Sequence, residues 1–428
     1  MTRKDKYTIF ETFVGAGGSH IGFKSQGFES RYVNDFCEEC LETLLYNNPE
    51  LKNTTFVDNR SILDIDLQLI SQKTGLNEGE LDVLFGGIVC KGFSLAGERS
   101  PNDERNYFYR KQLEIVEKFR PKISIIENVP GIQHAEVIKD TTPTEIKTEI
   151  NNLWQELENY KGQKANLRKN NLITKDFEKK GASLRKQKED FLNKLKEKSY
   201  LISVIDDIEA RYQKLGYKVY RKVLNSASYG AATKRERVII VAVRNDIKNE
   251  FKYPIPTHID EYLKNKYSDV YQDNIKYNKS KTVNDALKEI NYEIQDKDNE
   301  PMAHAPKTVE RFKYIPEGRS IADFIDELPR DLKISKFYSR GNTMRLDGDK
   351  PSPTLVPGHS NFPVHPKEHR SITVREAACI TGFPMDYVFF GSHTKRCEHV
   401  GNAVPPPLAA AIAKSAKELL DKYYTDNE

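Results

Sequence analysis

Seven short apolar segments restrict the fold of this chain more than any other feature of its sequence. Each has the length of a β-strand, and helical patterns separate most of them. The segments are 6–14, 30–35, 54–58, 81–87, 121–129, 216–224 and 237–243. Strands that alternate with helices are typical of an α/β fold. The sequence therefore predicts an α/β fold built on a largely parallel sheet.

The composition excludes several classes of protein. No apolar run approaches the roughly 18 residues that a membrane-spanning helix needs, and the mean hydropathy is −0.68. The first ten residues, MTRKDKYTIF, contain no apolar core of a secretory signal. Five cysteines in 428 residues do not make a disulfide scaffold, so we expect a cytoplasmic protein without a membrane partner. The net charge of +4 permits a nucleic-acid partner without requiring one.

The segments between the strands predict how the chain is divided. We expect a large domain over residues 1–248, which the C-terminal helix within 397–428 completes, and a smaller domain over 249–396. A charged insert at about 141–212 interrupts the large domain. Residues 151–200 contain 13 lysines and arginines against 7 acidic residues. This insert is either a solvated helical hairpin or a basic arm that contacts the backbone of a nucleic acid.

Groups that suit an adenosine follow the first three strands. FVGAGG (13–18) places three glycines between a strand and a helix, where glycine permits close backbone approach to a ligand. This motif alone is also compatible with a tight turn, because it is not the complete dinucleotide fingerprint. Asp35 ends the second strand, where an acid can accept from both hydroxyls of a ribose. Phe36 could stack on the adenine and Asp58 could accept from its amino group, so the three strand ends together indicate a nucleotide-like cofactor.

Chemically active side chains follow the later strands. Cys90 lies in a glycine-flanked loop, GGIVCKGFS, just after the fourth strand, where it is either a nucleophile or a buried structural cysteine. Glu127 lies at the end of the apolar fifth strand. Because burying an unpaired acid is costly, we expect Glu127 at the rim of the sheet, where it could act as an acid catalyst. Arg235 and Arg237 stand two apart at the start of the last strand, so their side chains share one face. They are either a functional pair or part of a solvated strand edge.

These motifs, together with others further along the chain, stand in the order found in DNA (cytosine-5)-methyltransferases. The chain resembles that family over nearly its whole length. In chain order the motifs are FVGAGG (13–18), NDF (34–36), Asp58, GGIVCKGFS (86–94), DERNYF (103–108), ENV (127–129), TKRER (233–237), RSITVREAACITGFP (370–384) and VGNAVPP (400–406). The resemblance implies a Rossmann-like mixed sheet that binds S-adenosylmethionine, with a second, smaller target-recognition domain.

The resemblance also implies a mechanism. The Cys90 thiolate would add to C6 of a cytosine flipped out of double-stranded DNA, and C5 would then take the methyl group, leaving S-adenosylhomocysteine. Glu127 would hydrogen-bond or protonate N3, Arg237 would hold O2, and Arg235 would orient the loop or a phosphate. The implied cofactor residues are Phe13, Gly15, Gly17, Gly18, Asp35, Phe36, Asp58, Phe108 and Asn402. The residues expected to contact DNA are Lys91, Ser94, Ser339, Arg340, Asn342 and Arg345.

The chain departs from the family pattern at a few positions. The catalytic loop reads Val89-Cys90-Lys91 where the family usually has Pro-Cys-Gln. Thr233, Thr381 in the ninth motif and His399 in the tenth stand where glutamine is common in the family. Because the cysteine, the glutamate and both arginines are present, we expect an active enzyme.

A separate pair of cysteines, Cys37-x-x-Cys40, has the spacing of metal ligands, but no second pair follows it. We therefore expect no metal.

The partners and the alternatives follow from the same resemblance. A bacterial modification enzyme of this type is often paired with a restriction endonuclease that acts on the same site, and we expect a monomer. The alternatives are an RNA cytosine-5 methyltransferase on the same fold and a catalytically silent DNA-binding relative. A nicotinamide-dependent oxidoreductase is a third alternative, which the missing GxGxxG order disfavours.

Overall fold

The computed structural model describes residues 6–88, 100–334, 343–358 and 362–426, apart from the side chains of Glu104 and Arg105. Within these ranges the chain forms eleven strands. They are β1 (Tyr7–Thr12), β2 (Phe28–Asn34), β3 (Phe56–Asp58), β4 (Val83–Gly87), β5 (Ile123–Asn128), β6 (Glu136–Ile138), β7 (Leu201–Ser203), β8 (Tyr217–Asn225), β9 (Glu236–Arg244), β10 (His258–Ile259) and β11 (Asn278–Lys279). Each of the seven predicted strands is present.

The seven predicted strands form one mixed sheet in the order β3-β2-β1-β4-β5-β9-β8. The pairs from β3 to β5 are parallel, whereas β8 and β9 are antiparallel. The expected α/β fold with a mixed sheet is therefore confirmed. The strand order reverses between β1 and β4, and ligands of open α/β sheets bind beyond the strand ends at such a reversal. In the sequence, the glycine motif follows β1 and Cys90 follows β4.

Helices connect these strands and cover the sheet. They are α1 (Gly18–Ser25), α2 (Glu38–Asn47), α3 (Leu51–Thr54), α4 (Leu67–Thr74), α5 (Phe108–Phe119), α6 (Thr144–Lys169), α7 (Lys175–Glu197), α8 (Val204–Lys214), α9 (Glu261–Lys266), α10 (Val283–Lys288), α11 (Pro306–Lys313), α12 (Val374–Thr381), α13 (His393–Asn402) and α14 (Pro406–Asp426). No helix in the described ranges is both long and apolar enough to cross a membrane.

The first and last helices cross at very short range. A Cβ atom placed on Gly22 of α1 would lie 2.5 Å from the Cβ of Ala409 and from the backbone of Ala410 in α14. Phe23 and Leu408 continue this contact into a core that includes strands β1, β4, β5 and β9. The absence of a side chain at Gly22 is therefore what allows the C-terminal helix to lie against the sheet's first helix.

The chain forms two compact units. The first comprises Met1–Gly87, Ile115–Glu127 and Tyr217–Glu428, and the second comprises Ile88–Glu114 and Asn128–Gly216. The expected target-recognition region, 249–396, lies within the first unit. Part of that region has a small core of its own, formed by Phe312, Ile315, Ile321, Leu328, Leu332 and Val364. The boundaries expected from sequence remain a prediction.

A helical hairpin dominates the second unit. The antiparallel pair β6 and β7 forms its base, and α6 and α7 extend from it. Ile150 and Trp154 pack with Leu195 near the base, and Leu157 and Tyr160 pack with Leu184 further out. The leucine spacing thus places an apolar stripe between two charged helices. Contact between the hairpin's basic residues and nucleic acid remains a prediction.

The close crossing of α1 and α14 can be tested with two glycine substitutions. Gly22→Ala places a methyl group against the α14 backbone, and we expect it to lower the free energy of unfolding by about 1–3 kcal/mol. Gly162→Ala in α6 makes the same chemical change at a position where the described part of the chain places no atom within 4 Å of the new Cβ. It should leave stability unchanged or raise it by up to about 1 kcal/mol. Urea denaturation measures both, and equal effects would contradict the packing argument.

Candidate active site

The glycine motif forms a turn that is tied to the end of β2. The backbone N–H of Gly15 donates to Asp35 Oδ2 at 2.8 Å. Gly15 and Gly17 have φ angles of 55° and 91°, which glycine adopts without strain. Tyr387 Oη donates to the carbonyl of Ala16 at 2.6 Å and holds the turn from the other side. Among the described residues, no atom lies within 4 Å of a Cβ position on Gly15, so the turn faces space that these residues leave open.

Asp35 and Phe36 lie beside this open space. Asp35 Oδ1 accepts from the N–H of Cys37 at 3.0 Å, so the carboxylate is held by two backbone amides. Burial raises the pKa of Asp35, and these two amides oppose that effect. Phe36 is 69% exposed, which is unusual for so large an apolar side chain. The oriented carboxylate can hold a ribose, and the exposed aromatic ring beside it can stack on a base.

Asp58 has a partner that the sequence analysis did not identify. Arg60 forms a bidentate pair with its carboxylate, with Nε to Oδ1 at 2.8 Å and Nη2 to Oδ2 at 2.7 Å. Tyr32 Oη donates to Oδ2 at 3.1 Å. Burial acts to raise the pKa of Asp58, but the hydrogen bonds from Arg60 outweigh it and hold the pKa below its usual range. Each Asp58 oxygen thus accepts two hydrogen bonds, whereas each Asp35 oxygen accepts one from a backbone amide of the described residues. This difference favours a positioning role for Asp58.

A buried ion pair joins the end of β5 to the start of β9. Arg237 Nε lies 2.6 Å from Glu127 Oε1, and both side chains are less than a tenth exposed. Glu127 stands opposite Gly87 in the register of β4 and β5. Burial lowers the pKa of Arg237, and the nearby Glu127 carboxylate opposes that shift. The pair therefore places a carboxylate and a guanidinium together in a site of low dielectric constant.

Arg235 is directed at backbone rather than at Glu127. Its Nη1 donates to the carbonyl of Gly401 at 2.8 Å and approaches the carbonyl of Leu355 at 3.4 Å. Burial lowers the pKa of this guanidinium, and the charge of Arg237 adds to the effect. These contacts connect the start of β9 to the end of α13, where the exposed side chain of Asn402 lies.

The remaining predicted residues are placed differently or lie outside the described ranges. Arg345 is buried, and its guanidinium donates to the carbonyls of Phe312, Ile315, His365 and Glu368. This placement favours a structural role over base reading. Phe108 is half-buried at the start of α5, in the second unit. The residues outside the described ranges are Cys90, Lys91, Ser94, Ser339, Arg340 and Asn342.

Two contributors to the site were missed from sequence. Arg60 stands two residues after Asp58, and an arginine so close to a strand-end acid was a usable signal for an ion pair. Tyr387 lies 371 residues from Ala16, so nothing local in the sequence connects them.

Comparison with known proteins decides the family. The model of the C-5 cytosine-specific DNA methylase family matches residues 7–160 and 191–418. The chain belongs to this family. The resemblance inferred from its motifs is thereby confirmed, and the chain is a DNA (cytosine-5-)-methyltransferase. Residues 161–190, which interrupt this match, form the outer part of the hairpin of α6 and α7.

Several curated members of the family are similar over nearly the whole chain. The type II methyltransferase M.Sau96I of Staphylococcus aureus is 28% identical over 98% of this chain and 78% of its own length. M.Eco47II of Escherichia coli is 27% identical over 97% of this chain and 80% of its own length.

Solved structures share the fold at lower identity. A prophage-encoded DNA modification methyltransferase of E. coli superposes with a TM-score of 0.60 at 18% identity, covering 97% of this chain and 99% of that chain. The Dnmt2 methyltransferase of S. pombe superposes with a TM-score of 0.51 at 14% identity, covering 96% of this chain and 99% of that chain.

The buried ion pair provides a test of the site's energetics. Glu127→Gln leaves the Arg237 guanidinium buried opposite a neutral amide. Removing one partner of a buried pair costs up to about 3–5 kcal/mol. Because glutamine keeps an acceptor oxygen, we expect the free energy of unfolding to fall by about 1–3 kcal/mol in urea denaturation. Glu29→Gln, at a half-buried position of β2, should change the free energy of unfolding by less than about 0.5 kcal/mol. An unchanged value for Glu127→Gln would show that the pair does not stabilise the fold.

Proposed function

We propose that this enzyme methylates C5 of a cytosine flipped out of a short, specific sequence of double-stranded DNA, with S-adenosylmethionine as the donor. The observation that carries the proposal is the buried pair of Glu127 and Arg237 at the end of β5. A carboxyl group and a guanidinium held together in a dry site match N3 and O2 on the edge of a cytosine.

The residues at the ends of β1 and β2 fit the proposed donor. The open space at Gly15, the carboxylate of Asp35 and the exposed ring of Phe36 would hold its adenosine part. Asn402, Phe13, Gly17, Gly18 and Phe108 complete the proposed set on the strength of their motifs. When bound, S-adenosylmethionine supplies an activated methyl group and leaves as S-adenosylhomocysteine.

Three side chains carry the proposed chemistry. The thiolate of Cys90 forms a covalent bond to C6 of the base, which makes C5 nucleophilic. Glu127 hydrogen-bonds or protonates N3 and so stabilises the negative charge that develops on the ring. Because Arg237 engages Oε1 of Glu127, we assign the contact with N3 to Oε2 and the contact with O2 to Arg237. Loss of the C5 proton, to water in our scheme, breaks the bond to C6 and releases Cys90.

Arg235 is a positioning residue in this scheme. Its bond to the Gly401 carbonyl holds the start of β9 against the segment that contains Asn402. Lys91 and Ser94 would contact DNA beside the flipped base, and Arg340 and Asn342 would read bases. Arg345 is left out of the proposed DNA contacts because backbone carbonyls engage its guanidinium.

The biological setting is proposed from the relatives. M.Sau96I and M.Eco47II are named type II methyltransferases. We propose that this chain is likewise the modification enzyme of a restriction-modification system and acts as a cytoplasmic monomer. A restriction endonuclease specific for the same DNA sequence would be its functional partner.

The covalent mechanism predicts the loss of adduct and of methylation in one variant. Cys90→Ser removes the nucleophile, so DNA containing 5-fluorocytosine should trap the unaltered enzyme covalently but not this variant. Bisulfite sequencing of plasmid from expressing cells should show protected cytosines in one short motif, absent with Cys90→Ser. Cys379→Ser, a buried cysteine of α12, is the matched control and should retain both signals. Soluble enzyme that protects no cytosine in DNA but methylates RNA would replace the proposal with the RNA alternative.

The role proposed for Asp35 predicts a selective loss of cofactor affinity. Asp35→Asn removes the charge that would strengthen hydrogen bonds from the ribose, which are worth about 1.5–3 kcal/mol to a charged group. We expect S-adenosylhomocysteine to bind about 10- to 100-fold more weakly by isothermal titration calorimetry. Asp66→Asn makes the same change at the exposed N-cap of α4 and should leave this affinity unaltered. Equal affinity in both variants would refute the assigned role.

A further inference from the structure

Two cysteines and a histidine meet beside the proposed cofactor site. Cys37 is the N-cap residue of α2, and Cys40 lies in the first turn of that helix. His399 comes from α13, more than 350 residues further along the chain. One donor atom of each residue lies within 4.8 Å of the donor atoms of the other two. All three residues belong to the first unit.

Among the described residues, no hydrogen bond of normal geometry accounts for the burial of His399, although its ring lies close enough to Cys37 to lower the pKa of that thiol. Its side chain is 4% exposed, and neither Nδ1 nor Nε2 has a hydrogen-bond partner among the described residues. Leaving a buried polar group unsatisfied destabilises the folded state. An imidazole in that state, directed at two sulfur atoms, has the arrangement of a ligand that lacks its ion.

The two thiols differ in proton affinity. A hydrogen bond with the neighbouring Cys40 thiol lowers the pKa of Cys37 to about 5. Burial opposes this shift, and His399 adds to it. The hydrogen bond to Cys37 and burial together raise the pKa of Cys40. Zinc binds cysteine as the thiolate, so a cation that binds both sulfurs would release the protons that they hold.

We propose that Cys37, Cys40 and His399 bind one Zn²⁺ ion. Two thiolates and a neutral imidazole are ligands that zinc prefers, and water would occupy the fourth position. Zn–S bonds of about 2.3 Å and Zn–N bonds of about 2.0 Å place tetrahedral donors about 3.5–3.8 Å apart. Donors within 4.8 Å reach that geometry by small side-chain rotations. The Glu39 carboxylate, 3.5 Å from Cys37 Sγ, is close enough to take part in the outer hydrogen bonding.

The ion would connect two segments that flank the proposed cofactor site. Asp35 and Phe36 immediately precede α2, and Asn402 ends α13. A metal bond between these helices would restrict movement between the two sides of that site. This structural consequence rests on the proposed function, whereas metal binding itself does not. The ion would take no part in methyl transfer.

The proposal reverses the expectation drawn from the cysteine spacing. The Cys-x-x-Cys pair alone lacked further ligands, and only the fold supplies the third one. His399 occupies a position where the family commonly has glutamine, so the ligand set is a feature of this chain rather than of the family motif.

Metal titration of the full-length reduced enzyme tests the proposal. The protein is stripped with a chelator and then titrated with Zn²⁺ against a chromophoric competitor, and in parallel with Co²⁺ as a spectroscopic probe. We expect one ion per chain and thiolate-to-cobalt charge-transfer bands. Cys40→Ser and His399→Gln should each weaken Zn²⁺ binding by about 100-fold or more. Cys379→Ser, which removes a cysteine outside the cluster, should bind normally.

Three results would overturn the proposal. One is a reduced, folded enzyme that takes up less than about a tenth of an equivalent of Zn²⁺, which falls short of a structural site. Another is unchanged affinity in both ligand variants. The third is a Cys37–Cys40 disulfide that forms readily, with no metal uptake after its reduction. The cobalt spectrum of the unaltered enzyme decides the matter even if a variant fails to fold. Binding of S-adenosylhomocysteine, measured with and without Zn²⁺, reports separately on the proposed function.

Discussion

The carboxyl ends of the parallel strands meet at one edge of the sheet, and the candidate site depends on this constraint. The strand order reverses between β1 and β4, and ligands of open α/β sheets bind beyond the strand ends at such a reversal. The hydrogen bond from Gly15 to Asp35 crosses from the end of β1 to the end of β2. Glu127 stands at the same edge, opposite Gly87 in β4. Residues far apart in sequence become neighbours because their strands end together.

Charges at this edge are buried or half-buried, and each has a specific partner. Two backbone amides hold Asp35, a bidentate arginine holds Asp58, and Arg237 holds Glu127. Isolated charges would be costly in such surroundings, so these partners make the burial tolerable. They also fix the direction of each carboxylate before any ligand arrives. Such preorganisation is what electrostatic stabilisation of a developing charge requires.

The rest of the chain supports this edge at long range. The crossing at Gly22 brings α14 against α1, and Arg235 connects β9 to the segment around Gly401. If zinc binds as proposed, α2 and α13 would be connected in the same way. The outer part of the helical hairpin, residues 161–190, lies outside the family match. A hairpin of this kind is tolerated where a chain leaves and re-enters a fold at neighbouring points, as β6 and β7 do here.

The sequence by itself determined the seven strands, the α/β class and the family. Apolar runs and motif order can be identified along the chain without any knowledge of tertiary contacts. The sequence also indicated that Asp35 and Glu127 lie at strand ends. Only the tertiary structure decided how polar groups pair: Arg60 with Asp58, Arg345 with backbone carbonyls, and His399 with the two cysteines. Those pairings depend on distances of a few ångströms between distant segments. Local patterns predict where a strand ends, but they do not predict which side chain from elsewhere will meet it there.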